Sequence, residues 1–84
     1  MQEFIIKECK TKGGMEVKPT KNMTLSLFGL EKDYEVRLST PILIVVRTEH
    51  GEIIIHKTGT LLFKEEKDHT TIETMTKKIY QYKQ

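Results

Sequence analysis

Two short runs of large aliphatic residues, Ile42-Leu43-Ile44-Val45-Val46 and Ile53-Ile54-Ile55, stand on either side of the turn-forming pair His50-Gly51. They limit the fold more than any other feature of this chain. Successive side chains of a strand point to opposite faces of its sheet, so both runs are apolar on both sides. Strands of that kind belong in the middle of a sheet that is covered on both faces. Neither run approaches the roughly 20 residues of a membrane span.

The rest of the chain agrees with a β-rich fold. Isoleucine, valine and threonine supply 24 of 84 residues and there is no alanine; β-branched side chains suit a pleated surface better than a helix turn. A first strand is predicted over residues 2–9, ended by Lys10-Thr11-Lys12-Gly13-Gly14, and a short one over 15–18, stopped by Pro19. Met23, Leu25 and Leu27 alternate with polar residues and predict a strand over 23–27, with a turn at Gly29 and Glu31-Lys32-Asp33. Tyr34, Val36 and Leu38 alternate with Glu35, Arg37 and Ser39 in a one-sided strand. Thr58-Gly59 turns the chain into Leu61-Leu62-Phe63.

After residue 69 the period changes. Ile72, Met75, Ile79 and Tyr82 fall at i, i+3, i+7 and i+10, one stripe of an amphipathic helix. Thr70 and Glu73 have the spacing of a capping box, and Lys77, Lys78 and Lys83 lie where the helix dipole is negative. A helix is predicted over 70–82. The fold class is therefore α+β: an antiparallel meander of five or six strands, flat or curled into a barrel, with one C-terminal helix packed on it. Residues 1–84 form a single small domain. A meander closed by a C-terminal helix resembles a small pleckstrin-homology-like barrel, and the order of elements over 42–82 resembles the end of half a TATA-binding-protein fold. No motif accompanies either likeness, and no residue role is carried over.

Eighty-four residues exclude a TIM barrel, a dinucleotide-binding fold or a two-domain enzyme. A core this small supplies modest stability, which favours oligomerisation. The formal charge is +2, but its distribution is uneven. Residues 1–21 carry Lys7, Lys10, Lys12, Lys18 and Lys21 against three glutamates, and the last eight residues add three lysines, while the middle is acidic. The single cysteine, Cys9, cannot form an intramolecular disulfide, and residues 1–10 lack the apolar stretch of a signal peptide. The expected setting is cytoplasmic, with no membrane attachment.

Few residues offer chemistry. Lys57-Thr58-Gly59 matches one motif of penicillin-binding proteins, but no S-x-x-K accompanies it, so it reads as a hairpin turn. Lys12-Gly13-Gly14 lacks the remainder of a phosphate-binding loop. Cys9, His50, His56 and His69 are not spaced as zinc ligands. Glu49 and Glu52 would share a divalent cation with Glu65 or Glu66 only if the two loops met. Ser26 and Ser39 belong to no nucleophile motif. No catalytic residue, metal or cofactor is assigned.

Two functions remain. The first is a small non-catalytic interaction module that self-associates or docks on a protein partner through an apolar sheet face. Its interface candidates are Ile42, Ile44, Val46, Ile54 and Ile55, because one helix covers only one side of the central hairpin. The second is weak, non-specific nucleic-acid binding by Lys7, Lys10, Lys12, Lys18 and Lys21 with the lysine-rich helix end, without the aromatic platform of single-strand binders.

Overall fold

A computed structural model describes residues 3–9, of Cys9 the backbone only, and 13–84. The elements are β1 (Phe4–Cys9), β2 (Gly14–Pro19), α1 (Leu27–Asp33), β3 (Glu35–Ser39), β4 (Leu43–Thr48), β5 (Gly51–His56), β6 (Leu61–Phe63) and α2 (His69–Tyr80). The strands form one antiparallel sheet in the order β1-β2-β6-β5-β4-β3. β3 to β6 is a meander, and the β1–β2 hairpin joins it on the β6 side. β1 and β3 are the two edges, so the sheet is open rather than closed into a barrel.

The central hairpin forms as its sequence requires. Gly51 has φ +95°, a conformation that costs glycine little because it lacks a Cβ. It brings Val46 opposite Ile53, Val45 opposite Ile54 and Ile44 opposite Ile55. Ile44, Val46, Ile53 and Ile55 are fully buried on one face, beside Val17, Leu61 and Phe63 from the neighbouring strands. α2 lays Ile72, Met75, Ile79 and Tyr80 on this face. The Tyr80 ring meets Phe4 edge-on at 5.6 Å between centroids, and its hydroxyl donates to the Gly59 carbonyl at 2.6 Å. Burial pushes that phenol well above its ordinary pKa.

Three features differ from the sequence expectations. Met23 and Leu25 are buried as the alternation requires, but the strand over 23–27 does not form. Leu25 makes one isolated bridge, to Lys83, and the expected turn at 29–33 lies within α1. The Ser26 hydroxyl accepts a hydrogen bond from the Gly29 backbone at 3.2 Å, and this N-cap lets the chain enter a helix at Leu27. Leu30 on that helix is fully buried.

The N-cap of α2 is Asp68 rather than Thr70. Its carboxylate accepts from the backbone and hydroxyl of Thr71 at 2.9 and 2.8 Å. An ionised acceptor makes a stronger bond to a helix N-terminus than a hydroxyl does, so the helix starts one residue earlier, at His69, and ends at Tyr80. Tyr82 lies beyond it, and its hydroxyl donates to Asp33, joining the end of α2's tail to the end of α1.

β3, finally, is not one-sided. The register shifts between Val36 and Leu38. Val36 pairs with Val46 and packs against the core, whereas Leu38 pairs with Val45 and is 54% exposed. A bulge inserts one residue and turns the following side chain to the opposite face.

Candidate functional site

The face of the sheet opposite α2 carries the most distinctive surface of the chain. Among the described residues α1, α2 and the buried residues Met23 and Leu25 all pack with the core, and no element crosses the other face. Leu38, Val45, Ile54 and Leu62 lie side by side there on β3, β4, β5 and β6, in direct register. Val45 and Ile54 are half-buried. Leu62 is only 8% exposed, and its side chain lies 3.4 Å from where a Cβ on Gly14 would stand. Cross-strand aliphatic pairs of this kind stabilise a sheet, but the row also leaves Leu38 exposed and Val45 and Ile54 partly exposed, an apolar band that ends against the buried Leu62.

Charged residues border the band on one side. Glu35 stands opposite Arg47 and Arg47 opposite Glu52. The Lys64 ammonium lies 3.6 Å from the Glu52 carboxylate, and the Lys64 backbone donates to the Glu52 carbonyl. From β3 to the end of β6 the charges therefore run minus, plus, minus, plus. On the other side of the band Leu43 stands opposite His56. On β2 and β1 the band gives way to Glu16 and Lys7, which oppose each other.

This parity divides the five interface candidates. Ile44, Val46 and Ile55 are fully buried under the helices and belong to the core, so they offer no surface. Ile54 lies in the open band. Ile42 is 64% exposed but sits in the turn before β4, outside the band. Leu38, Val45, Leu43 and Leu62 are not among the sequence candidates: alternation puts Leu43 and Val45 opposite Ile44 and Val46 without saying which face the helix covers, and the side of Leu38 and Leu62 depends on the β3 bulge and on pairing with β6.

The basic segment does not form one surface. Lys10 and Lys12 lie outside the described residues. Lys7 and Lys18 flank Glu16 on the open face, with Lys18 3.8 Å from its carboxylate. Lys21 instead joins Lys77 and Lys83 around an open hollow of about 580 Å³, whose walls also include Glu3 and Tyr80. The two basic ends of the chain thus meet at the C-terminal end of α2.

The acidic turn does meet the loop after β6. The Glu52 backbone donates to the Glu65 carboxylate at 3.1 Å, and His50 lies 3.1 Å from Glu66 and 3.5 Å from Glu49. These carboxylates serve the loop's own hydrogen bonds. No three or more His, Cys, Asp or Glu side chains among the described residues are grouped to hold a metal ion. His56 lies on the open face, His69 opens α2, and the Cys9 side chain is outside the described residues. Ser26 caps α1, and the Ser39 hydroxyl donates to Glu31, so both serines have structural partners. Among the described residues no helix is long and apolar enough to cross a membrane.

Three comparisons with known proteins add no relative: no family model matches the chain, and neither a curated protein nor a solved structure matches it.

Proposed function

We propose that this chain is a small non-catalytic interaction module that associates through the open face of its sheet. The observation that carries the reading is the in-register row Leu38, Val45, Ile54 and Leu62 on a face that no described element covers. A contiguous apolar patch rimmed by charge marks association surfaces, whereas scattered apolar residues do not. The small core supports the same reading, because an 84-residue domain gains stability by burying a further face. Its setting in this reading is the reducing cytoplasm, to which the single Cys9 points.

The test is a pair of substitutions on β5. Ile54→Lys places a charge in the band and is expected to leave the chain folded by circular dichroism while abolishing concentration-dependent association in sedimentation velocity. Ile55→Lys places the charge in the core and is expected to unfold the chain. An association that Ile54→Lys leaves unchanged refutes the reading.

A second reading, weak nucleic-acid binding, is favoured by one observation: Lys21, Lys77 and Lys83 share a hollow. Binding there would be non-specific and would weaken steeply with salt. Titration of DNA and RNA at two salt concentrations separates the readings, since Ile54→Lys leaves the hollow intact. Tight, sequence-selective binding at physiological salt would contradict both.

A further inference from the structure

We propose that the occupant of the open face is a second copy of this chain, related by a two-fold axis that runs parallel to the strands between β4 and β5. The proposal rests on the association reading above and adds the partner and its register. Its warrant is the order of charges beside the apolar band.

A two-fold axis along the strands reverses the strand order and keeps each level of the sheet at the same height. β5 of one copy then lies over β4 of the other, and β6 over β3. Applied to the charged row, which runs Glu35, Arg47, Glu52, Lys64 across β3 to the end of β6, the operation sets Glu52 opposite the second copy's Arg47. It likewise sets Lys64 opposite the second copy's Glu35. An alternating row of four charges is the mirror of itself with the signs exchanged, so each of the four meets its opposite, with Glu35 also 3.5 Å from Arg37 of its own chain. In the apolar row the same operation stacks Ile54 on Val45 and Leu62 on Leu38, large aliphatic on large aliphatic. A two-fold axis across the strands matches less well, because it lays Arg47 over the aliphatic Leu43 and desolvates the guanidinium without a partner.

Self-complementarity under one axis is what an isologous interface requires. Two sheets with nearly aligned strands are also a common packing, about 10 Å apart and about 30° from parallel. Four strands at about 4.8 Å give an overlap smaller than a standard interface, so the dimer is expected to dissociate in the micromolar range.

The experiment exploits the symmetry. Arg47→Glu makes positions 47 and 52 both negative, and Glu52→Arg makes both positive, so each variant repels its own copy at two symmetry-related places. Each is expected to dimerise at least about tenfold more weakly than the wild type. Mixed in equal amounts, the two variants present opposite charges at both places, and a heterodimer is expected to form with an affinity within a few-fold of the wild-type dimer. Sedimentation velocity with one variant carrying a fluorophore reads this directly. Within each chain the neighbours of the altered residue are the same alone and mixed, so recovery on mixing reports contact between copies rather than folding. Circular dichroism melts establish that both variants are folded, and Arg47→Gln with Glu52→Gln is the milder pair if either is not.

A wild-type dimer that Ile54→Lys abolishes, but whose charge variants are not rescued by mixing, overturns the two-fold register and leaves the face reading standing. A chain that stays monomeric at millimolar concentration overturns the second copy as occupant. A dimer indifferent to Ile54→Lys overturns the face reading itself.

Discussion

Adjacent residues of β5 offer the sharpest contrast in the molecule. Ile55 is fully buried, facing Ile44 and Leu61 across the strands, whereas Ile54 is half-buried in the open band between Val45 and Leu62. Ile→Val removes the same methyl group at both positions. At Ile55 the loss includes both the transfer term and the cavity it leaves, and is expected to cost about 0.5 to 1.5 kcal/mol. At Ile54 water and neighbouring side chains refill the space, so the cost in the monomer is expected to stay within about 0.5 kcal/mol, the range of surface substitutions. In a domain of this size about 1 kcal/mol moves Tm by roughly 4 to 8 °C. Ile55→Val should therefore lower Tm by about 2 to 12 °C, and Ile54→Val by only a few degrees. Urea titration at low protein concentration, with m-values compared to establish a common transition, measures both. Equal losses at the two positions would refute the parity on which the open face depends, and would mean that the face is buried within the chain.

Further substitutions test other parts of the fold. The Thr76 hydroxyl is buried on α2 without a hydrogen-bond partner among the described residues; Thr76→Val removes it at nearly constant volume and should raise stability by about 1 kcal/mol in urea titration. Gly59 has φ +95°, and a Cβ there would stand 2.6 Å from the Met23 sulfur, so Gly59→Ala should lower stability by more than about 1 kcal/mol. Hydrogen bonds from the Thr71 hydroxyl, then its backbone, hold the Asp68 carboxyl below its ordinary range. Its contribution is thus present above the unfolded value near 4 and lost as pH falls through the lower folded value. Asp68→Ala should be less stable than wild type at neutral pH, and the gap should narrow in acid; a gap that does not change with pH would refute the ionised cap.

The parts of the fold legible in sequence were those governed by nearest neighbours. The hairpin of Ile44, Val46, Ile53 and Ile55 was legible because only a glycine turn and two β-branched runs are involved. α2 was legible because Ile72, Met75 and Ile79 keep helical spacing. What escaped depends on competition or distance. Thr70 and Asp68 are both competent caps, and the stronger acceptor prevails. α1 is seven residues long with Gly29 inside it, too short to display a period. The bulge that turns Leu38 outward, and the pairing of β2 with β6, are set by contacts between segments far apart in the chain, so the membership of the candidate face could not be read beforehand.

The openness of that face follows from where the chain spends its two coverings. A helix of 12 residues such as α2 is about 18 Å long and about 10 Å wide, whereas a sheet of six strands spans about 24 Å between its edge strands. α2 therefore cannot roof the core face alone. The link from β2 to β3 completes the roof: Met23 and Leu25 are buried beside the end of α2, and Leu30 of α1 is buried at the other side of the sheet, against β3 and β4. β2 and β3 sit on opposite sides of the β6-β5-β4 meander, so the link joining them has to cross the sheet over one face, and it crosses the face on which α2 packs. The Leu25 backbone donates to Lys57 in the β5–β6 turn and the Ser26 backbone to Tyr82 in the tail of α2, and these bonds hold the crossing in place. With both coverings on the core face, no described element lies over Leu38, Val45 and Ile54, and it is these side chains that the proposed dimer would bury.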